Sequence, residues 1–471
     1  MSENKKAQLV VIGGGPGGYA AAFLAADLGL DVTLVDPAEN PGGVCLYRGC
    51  IPSKALLHIA KLINETKEAS KWGVTFKEPE INLAKVREWK EKVVSQLTGG
   101  LGQLSKQRKI NHLRATAVFT DAHTLELTDL EGKKSTLQFE HAVLASGSRP
   151  TKIPGLFIDS PNVMDSSQAL KLEDVPDSLL IVGGGYIGLE MGTVYSALGA
   201  KVSVVEMLPN LLPGADKDLV RVLQKNLEAK FEQIILKTKL TAMKEVKKGI
   251  KVSFEGAEDQ VYSKVLYSIG RTPNSENLGL ENTKVMIDQM GFVVVDEQNR
   301  TAEPSIFAIG DVAGEPMLAH KASAEGRVAV EVISGHKAAF EPAAIPAVVF
   351  TDPEIAWAGI TEAQAKEQKK DVEVLRFPWA ASGRALTMDR IDGLTKLIID
   401  RSSERILGVG IAGAGAGEMI AEGVLAIEMA ANATDLKLSI HPHPTLSETV
   451  MESAEMFYGQ STHVYRPKRK R

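Results

Sequence analysis

A glycine-rich motif that occurs twice with the same spacing constrains the fold of this chain more than any other feature. The first copy, GGGPGG at 13–18, follows an apolar, β-branched stretch at 8–12 and leads through an alanine-rich stretch at 20–28 to a second apolar stretch at 32–35. We predict a strand, a helix and a strand for these three stretches. Asp36 ends the unit, 23 residues after the first glycine.

The second copy repeats this order. A predicted strand at 179–182 precedes GGGYIG at 183–188, which is followed by a predicted helix ending at Leu198 and a strand at 202–205. Glu206 ends this unit and also follows the first glycine of its motif by 23 residues. One such motif also occurs as a bare turn, but two copies with equal spacing and flanking elements predict two dinucleotide-binding units.

Each position of the motif has a physical role in such a unit. The first glycine permits a turn, the second lets a phosphate approach, the third lets helix and strand pack, and the acid holds a ribose. Because an acid repels a 2′-phosphate and the segment 207–210 has no arginine, the second unit is predicted to bind NAD rather than NADP. The residues assigned to the four roles are Gly13, Gly15, Gly18 and Asp36 in the first copy, and Gly183, Gly185, Gly188 and Glu206 in the second.

The only two cysteines of the chain, Cys45 and Cys50, stand five residues apart, just after the first unit. In a regular helix their Cα atoms would be about 8.7 Å apart, beyond the roughly 7 Å that a disulfide tolerates. Gly49 and the pre-proline residue Ile51 favour a distortion at this point, and a strained disulfide is easily reduced. The pair fits reversible redox chemistry, while the spacing alone leaves open a pair of buried thiols that never bond.

Composition bounds the size and the partners of the molecule. A length of 471 residues predicts about three domains, and a net charge of −5 does not favour a nucleic-acid partner. The basic run at 468–471 is interpreted as a solvated tail. The glycines and proline at 13–18 interrupt any signal or spanning helix, and no other apolar stretch is long enough to cross a bilayer. We therefore expect a cytoplasmic protein with no membrane span.

Two nucleotide sites beside a dithiol indicate electron transfer between a nicotinamide and a thiol pair, for which a flavin is the natural intermediary. On these motifs the chain resembles the pyridine nucleotide-disulfide oxidoreductases, a family of FAD enzymes, over nearly its full length. The resemblance implies an α/β fold with two Rossmann-like dinucleotide-binding domains, one for FAD and one for NAD, plus a C-terminal α+β dimerisation domain. The implied boundaries are 1–150 for FAD binding, 151–272 for NAD binding, 273–345 for a second FAD segment and 346–471 for dimerisation.

The segment around the cysteines resembles the family's redox-active segment. The resemblance implies that Cys45 exchanges with substrate, that Cys50 faces the flavin as the charge-transfer thiolate, and that Lys54 pairs with Glu190. The residues themselves support part of this assignment. Lys54 lies four positions after Cys50 and hence on the same helix face, where its ammonium favours negative charge on sulfur or on reduced flavin.

The residues between the cysteines depart from the family, which usually has Asn and Val where this chain has Tyr47 and Arg48. Three consequences stay open. The two side chains narrow substrate access, lower a thiolate pKa, or point into solvent without effect.

Four further segments resemble parts of the family that contact the cofactors. The stretch AIGD at 308–311 resembles the second FAD segment, and the stretch at 317–322 resembles the start of a helix beneath the flavin, where His320 is interpreted as structural. The stretch at 144–148 resembles a strand end beside FAD, and the one at 270–274 resembles the end of the NAD domain. The cofactor-binding residues implied by these segments are Asp311, Ala319, Gly147 and Gly270.

The sequence HPHPTLSE at 441–448 carries the candidate base. The prolines prevent a helix through the histidines, whereas Glu448 falls in the first turn of the helix predicted to follow. A carboxylate there accepts from one imidazole nitrogen and leaves the other to take a thiol proton. The match to the family's His-Pro-Thr-x-x-Glu pattern implies that His443 is the acid/base and that Glu448 orients it, while His441 is interpreted as structural. In the family this motif reaches the cysteines of the other subunit, which implies a homodimer.

The implied reaction is oxidation of protein-bound dihydrolipoyl groups with reduction of NAD+. The implied partners are the second subunit and the lipoyl domains of 2-oxo acid dehydrogenase complexes or of the glycine cleavage system; no metal is expected. Two alternatives stay open. A glutathione-reductase-like disulfide reductase would favour NADPH, which Glu206 opposes, and a non-catalytic flavoprotein redox sensor would need no oriented base. Family members with an additional C-terminal cysteine pair are excluded because the chain has no third cysteine.

Overall fold

The computed structural model describes residues 5–465. The basic run at 468–471, interpreted from the sequence as a solvated tail, lies outside the described residues. Within 5–465, none of the helices combines the length and the apolar character that a membrane crossing requires.

Residues 5–150 form a mainly parallel sheet covered by helices. Val10 and Val11 in its central strand are fully buried, as expected for a parallel strand with helices on both faces. The strand order is β3-β2-β1-β6-β5-β4, with β1 parallel to both neighbours and β4, β5 and β6 joined as antiparallel hairpins. The elements are β1 (Lys5–Ile12), α1 (Pro16–Asp27), β2 (Val32–Val35), α2 (Gly43–Arg48), α3 (Cys50–Glu68), α4 (Leu83–Gln107), β3 (Asn111–Leu113), β4 (Ala115–Asp121), β5 (Thr124–Asp129), β6 (Lys134–Leu144) and β7 (Ser148–Pro150).

Residues 151–345 repeat the parallel arrangement and then return to the first sheet. The second parallel sheet has the order β11-β10-β9-β15-β8, and β12-β13-β14 form an antiparallel meander beside it. The elements are β8 (Val163–Met164), α5 (Ser166–Ala169), β9 (Ser178–Val182), α6 (Tyr186–Ala197), β10 (Lys201–Val205), α7 (Lys217–Lys230), β11 (Gln233–Ile235), β12 (Leu240–Val246), β13 (Gly249–Phe254), β14 (Ala257–Tyr262), β15 (Lys264–Tyr267), β16 (Arg271–Pro273), β17 (Ile306–Ala308) and α8 (Ala319–Ile333).

The return crossing passes through a short antiparallel pair, β7 with β16, and ends with β17 parallel to β6. Helix α8 then lies directly on α1, because both helices have glycine where they meet. A Cβ at Gly326 would lie 2.7 Å from Gly17 O, and one at Gly17 would lie 2.9 Å from Ala322 O. The crossing thereby brings the end of β17 and the start of α8 to the edge of the first sheet that carries the first glycine motif.

Residues 346–465 form an antiparallel sheet with helices packed on it, the α+β arrangement expected for this part of the chain. The strand order is β18-β19-β22-β21-β20. Trp379 is fully buried in its core and donates through Nε1 to Thr395 Oγ1 at 2.9 Å. The elements are β18 (Ala347–Val349), β19 (Glu354–Gly359), α9 (Glu362–Glu367), β20 (Val372–Pro378), α10 (Gly383–Thr387), β21 (Leu394–Asp400), β22 (Ile406–Gly413), α11 (Ala416–Glu428), α12 (Ala433–Leu438) and α13 (Glu448–Phe457).

The helix predicted at 20–28 was wrong in its first residue. Helix α1 begins at Pro16 rather than at residue 20, because proline suits the first helical position, where its missing N–H is not needed. Helix α11 lies between two residues with left-handed backbone. Gly415 and Ala430 have φ values of +75° and +56°, which the helical conformation does not allow.

The first part of the glycine-rich stretch at 408–417 is a strand. Residues up to Gly413 lie inside β22, a central strand of the C-terminal sheet. In β22, glycine allows neighbouring side chains to approach the backbone closely. A Cβ at Gly410 would lie 2.7 Å from Leu219 Cδ1, and one at Gly413 would lie 2.3 Å from Trp379 Cζ3.

Lys396 ties the second unit to the C-terminal sheet. Its side chain is 1% exposed, and Nζ lies 2.7, 2.6 and 2.8 Å from carboxylate oxygens of Asp216, Asp218 and Glu362. These three carboxylates are close enough together to hold a metal ion. The Lys396 ammonium lies between the three carboxylates, and these ion pairs join the second unit to the C-terminal sheet.

Candidate active site

A cleft of about 580 Å³ lies at the carboxyl ends of the first parallel sheet, where α/β folds bind their ligands. It brings together segments that are far apart in the sequence. The predicted site residues that line it are Gly13, Gly15, Gly18, Asp36, Cys45, Cys50, Lys54, Gly147, Glu190, Asp311 and Ala319. The predicted site residues elsewhere in the described chain are Gly183, Gly185, Gly188, Glu206, Gly270, His443 and Glu448.

The first glycine motif has the geometry of a phosphate cradle. Gly13 has φ +105°, and a Cβ there would lie 2.3 Å from Ala145 O. A Cβ at Gly18 would lie only 1.8 Å from Gly13 O, whereas one at Gly15 would meet no atom closer than 4.0 Å. Helix α1 begins after Gly15 with no side chain capping its N-terminus. Open backbone beside an uncapped helix N-terminus fits a pyrophosphate such as that of FAD.

Asp36 is fixed at the end of β2 by two backbone amides. Its Oδ2 accepts from Gly14 N at 2.6 Å and its Oδ1 accepts from Ala38 N at 2.8 Å. Each carboxylate oxygen keeps a lone pair for a ribose hydroxyl. The carboxylate therefore fits the ribose-binding role predicted for it.

The glycines of the second motif repeat this geometry and do not line the cleft, although Tyr186 and Ile187 of the same motif do. A Cβ at Gly183 would lie 2.5 Å from Ser268 O and one at Gly188 would lie 2.6 Å from Gly183 O, while Gly185 has no atom within 4 Å of its Cβ position. Gly270, with φ +132°, lies in the connection between β15 and β16. The three motif glycines thus have the same separate roles as in the first copy.

Glu206 matches Asp36 in its contacts. Its Oε2 accepts from Gly184 N at 2.6 Å and its Oε1 accepts from Leu208 N at 2.7 Å. The side chain is largely buried, so its negative charge is held where a 2′-phosphate would have to lie. The site fits NAD.

Asp311 is held in the cleft by two residues from other segments. Ser148 Oγ donates to Asp311 Oδ2 at 2.5 Å, and Arg271 Nε donates to Ser148 Oγ at 2.7 Å. The guanidinium also donates to Ser148 O at 2.7 Å. Ala319 begins α8 beside this group, as predicted.

The cysteine pair lies across a break between two helices, which confirms the predicted distortion. Helix α2 ends at Arg48 and α3 begins at Cys50, with Gly49 between them. A Cβ at Gly49 would lie 2.8 Å from Val44 O, so only glycine fits. Cys45 is half-buried, and Cys50 is exposed to the cleft.

The two thiols are chemically unequal. A hydrogen bond to Cys50, together with burial, raises the pKa of the Cys45 thiol. The same hydrogen bond, in which Cys45 donates, lowers the pKa of Cys50 to about 7, and the Lys54 ammonium acts in the same direction against the opposing effect of burial. With a pKa of about 7, Cys50 is about half thiolate at neutral pH, whereas Cys45 stays a neutral thiol.

Lys54 is paired with Glu190, as the resemblance implied. Lys54 Nζ lies 3.1 Å from Glu190 Oε1 and 2.9 Å from Oε2, and Ser53 Oγ donates to Oε2 at 2.8 Å. The Glu190 side chain is 4% exposed. Lys54 and Cys50 both belong to α3, so the helix holds the ammonium next to the thiolate.

Tyr47 points away from the dithiol, whereas Arg48 lines the cleft. Tyr47 Oη donates to Asn40 O at 2.9 Å and accepts from Asn40 N at 3.3 Å. The tyrosine therefore braces the loop before α2. Of the two residues, only Arg48 is in a position to meet a ligand.

The two histidines of the C-terminal motif have different surroundings. His443 Nδ1 donates to Glu448 Oε1 at 2.9 Å, Glu448 Oε2 accepts from Thr445 N at 2.7 Å, and the histidine side chain is 70% exposed. His441 contacts Glu422 Oε1 at 2.7 Å and Ser439 O at 2.8 Å and is 8% exposed. Both nitrogens of His441 are engaged, whereas Nε2 of His443 is directed outward from the pair and can take a proton.

Comparison with known families decides the identity of the fold. The family model described as pyridine nucleotide-disulphide oxidoreductase matches residues 7–326, and the model of that family's dimerisation domain matches residues 345–454. The chain belongs to the pyridine nucleotide-disulfide oxidoreductase family. The family assignment and the predicted fold class are confirmed, and the cofactors are FAD and NAD.

Several relatives are similar over their whole length. Dihydrolipoyl dehydrogenase of Vibrio cholerae is 50% identical, covering 100% of both chains, and that of Haemophilus influenzae is 49% identical, covering 100% of this chain and 99% of the relative. Among solved structures, the HOCl-induced flavoprotein disulfide reductase RclA of Escherichia coli has a TM-score of 0.86 and 26% identity, covering 95% and 99% of the two chains. LpdA of Mycobacterium tuberculosis has a TM-score of 0.90, 24% identity and 96% and 99% coverage, a likeness of fold alone.

Sequence reasoning about this oxidoreductase missed several residues of its site. Ser148 and Arg271 were not assigned a role, although both lie beside assigned glycines. They meet across 123 positions of the sequence, and no spacing rule predicts such a contact. The same holds for Glu325, whose carboxylate accepts from Gly310 N at 2.7 Å and fixes the turn before Asp311.

Proposed function

We propose that this chain is a dihydrolipoyl dehydrogenase that oxidises a protein-bound dihydrolipoyl dithiol to the cyclic disulfide and reduces NAD+ to NADH with release of one proton. The relatives that carry this name match it over its full length at 49% and 50% identity. The observation that carries the proposal is the oriented base. A histidine hydrogen-bonded to a carboxylate that a backbone amide also holds suits proton removal from a thiol.

The thiol chemistry follows from the chain's own residues. His443 Nε2 accepts the proton of one substrate thiol, and the resulting thiolate attacks Cys45 Sγ of the oxidised pair. The Cys45–Cys50 bond breaks, a mixed disulfide forms, and Cys50 leaves as a thiolate that the Lys54 ammonium favours. The second substrate sulfur then displaces Cys45, which keeps that sulfur's proton. Two electrons have passed to the cysteine pair, and the other proton rests on His443.

The cofactors complete the electron balance. Bound FAD supplies the step that thiols lack, transfer of the electron pair to NAD+ as a hydride. Residues that would hold FAD are Asp36, Asp311 and the backbone of the first glycine motif, and Glu206 would hold the ribose of NAD. In this proposal the remaining assigned glycines, Gly147 and Gly270, keep backbone close to the cofactors.

The proposal includes a homodimer in which His443 acts on Cys45 of the partner subunit. It is supported by the family's dimerisation domain and by the surroundings of His443, which is exposed and is not among the described residues that line the cleft. The domain boundaries at 150, 272 and 345 remain our proposal. Lipoyl domains of 2-oxo acid dehydrogenase complexes or of the glycine cleavage system are the proposed partners, and the cytoplasm is the proposed location.

Steady-state assays with free substrates test the function. We expect rapid NADH formation from dihydrolipoamide and NAD+, and little oxidation of NADPH by glutathione disulfide. The Cys45→Ser variant is the control for thiol-dependent turnover. Preference for glutathione disulfide and NADPH would establish the reductase alternative, and negligible turnover with both pairs would establish a redox sensor; either result contradicts the proposal.

A further inference from the structure

Phe350 brings the C-terminal domain into contact with the ion pair beside the dithiol. It directly follows β18, and its backbone N–H donates to Glu190 Oε1 at 3.1 Å. Its ring lies under the Lys54 ammonium, with Nζ 4.6 Å from the ring centroid. One residue of this domain therefore contacts both partners of the pair, one through its backbone and the other through its side chain.

The carboxylate of Glu190 is saturated by these contacts. Oε1 accepts from Lys54 Nζ and Phe350 N, and Oε2 accepts from Lys54 Nζ and Ser53 Oγ. Two oxygens with two lone pairs each have four acceptor positions, and all four are used. Glu190 therefore holds one side of the ammonium and is itself held by Ser53 and Phe350.

The Phe350 ring contacts the other side of the Lys54 ammonium. The Lys54 side chain is 33% exposed, so an ion pair alone leaves it free to move toward solvent. A cation over an aromatic face is attracted by the ring quadrupole. The ring packs against Gly417, where a Cβ would lie only 3.2 Å from Phe350 Cε1, so glycine at that position leaves room for the ring.

We propose that Phe350 is a positioning residue for the Lys54 ammonium and that the C-terminal domain thereby maintains the positive charge that favours the Cys50 thiolate. The inference rests on the proposed function only in taking the cysteine pair as the redox centre. In this proposal the dimerisation domain acts on two dithiols. Its Phe350 positions Lys54 beside the dithiol of its own subunit, and its His443 acts on the dithiol of the other subunit.

The test measures the pKa of the Cys50 thiol in the FAD-loaded protein. In the Cys45→Ser background Cys50 is the only thiol of the chain, and the serine hydroxyl retains a hydrogen-bond donor. The rate of alkylation by iodoacetamide as a function of pH gives the pKa, because only the thiolate reacts. The charged and titratable groups that face Cys50 besides position 45 are Lys54 and Glu190, together with the hydroxyls of Tyr19 and Tyr186, which no variant changes.

Four variants separate the ring from the rest of the site. Phe350→Leu keeps the backbone N–H and apolar bulk, and we expect the pKa of Cys50 to rise by about half a unit, roughly a threefold loss of thiolate below the pKa. Phe350→Trp retains an aromatic face and should stay within about 0.2 units of the parent. Lys54→Gln should raise the pKa further than Phe350→Leu. Phe157→Leu, which removes the ring 4.2 Å from Lys152 Nζ outside the cleft, should cause no shift.

Thermal unfolding of each variant identifies a purely structural role. If Phe350→Leu lowers the unfolding temperature but leaves the pKa of Cys50 unchanged, the residue only packs and the inference is wrong. An equal rise in Phe350→Trp would also overturn it, because the ring would then not be the cause. Turnover of the unsubstituted protein with dihydrolipoamide tests the proposed function independently. The proposed function can therefore fail while the role of Phe350 holds, and the reverse is also possible.

Discussion

The reactive groups lie in two regions, and in each region a glutamate carboxylate orients one side chain. The glutamate of the dithiol region is buried, whereas the histidine of the base region is exposed. In the dithiol region, Glu190 is almost fully buried and holds Lys54 beside Cys50. In the base region, Glu448 holds His443, whose side chain is 70% exposed on the C-terminal domain. Each carboxylate orients one cationic or proton-accepting group. The dithiol region is assembled from buried contacts within one chain, whereas the exposure of His443 is what the proposed homodimer would require.

A second comparison within the base region shows what exposure contributes. His441 and His443 both contact a glutamate, at 2.7 and 2.9 Å. His441 has both nitrogens engaged and is buried, so it fixes the loop. His443 has the same kind of partner but keeps one nitrogen for a substrate.

The largest effect is expected in the dithiol region. Cys50→Ser removes the thiolate that we propose faces the flavin, so dihydrolipoamide oxidation should fall below detection. The long-wavelength charge-transfer absorption on two-electron reduction should disappear as well, because serine is not ionised near neutral pH. Steady-state rates and anaerobic titration measure the two effects. A variant that keeps both would remove Cys50 from the mechanism.

The base region should respond next. His443→Gln removes the proposed proton acceptor, and we expect kcat for dihydrolipoamide to fall by about 10²- to 10⁴-fold while the FAD spectrum is unchanged. His441→Gln is the matched control two residues away, and it should mainly lower the unfolding temperature. If both substitutions reduce kcat equally, the distinction drawn from exposure fails.

The inequality of the two thiols predicts a pH dependence. The pKa of Cys50 is lowered to about 7, so in the reduced protein its thiolate is present above pH 7, and its alkylation rate should fall about tenfold per pH unit well below that value. Cys45→Ala removes the hydrogen-bond donor and should move the midpoint upward by about one unit. Cys45→Ser retains a donor hydroxyl and should move it less. Identical midpoints in the two variants would show that the hydrogen bond is not the cause.

The smallest effect is expected between the cysteines. Tyr47→Phe removes the hydrogen bonds to Asn40, and we expect a loss of about 1 kcal/mol in the free energy of unfolding with kcat unchanged. Arg48→Val restores the family's residue at a position that lines the cleft, and any effect should appear in KM. Chemical denaturation and steady-state kinetics measure the two outcomes. A large fall in kcat for Tyr47→Phe would mean that the loop before α2 acts on the thiols.

Much of the site was predictable because its parts are encoded by short spacings. The two glycine motifs determine turns, close packing and an open cradle within about 20 residues. Gly49 breaks the helix between Cys45 and Cys50, as its position predicted. Less predictable were the ends of α11 and the glycines of β22, since sequence alone does not tell whether a glycine ends an element or allows a neighbour to approach.

The sequence by itself determined the family, the two nucleotide units, the dithiol and the oriented histidine, because each depends on residues near one another in the chain. Only the tertiary structure decided which distant residues complete them. Ser148 with Arg271 behind Asp311, and Phe350 against Lys54, are contacts between segments more than 100 positions apart. Such contacts depend on how whole domains pack, and packing is set by the sum of many weak, non-directional interactions that no local pattern records.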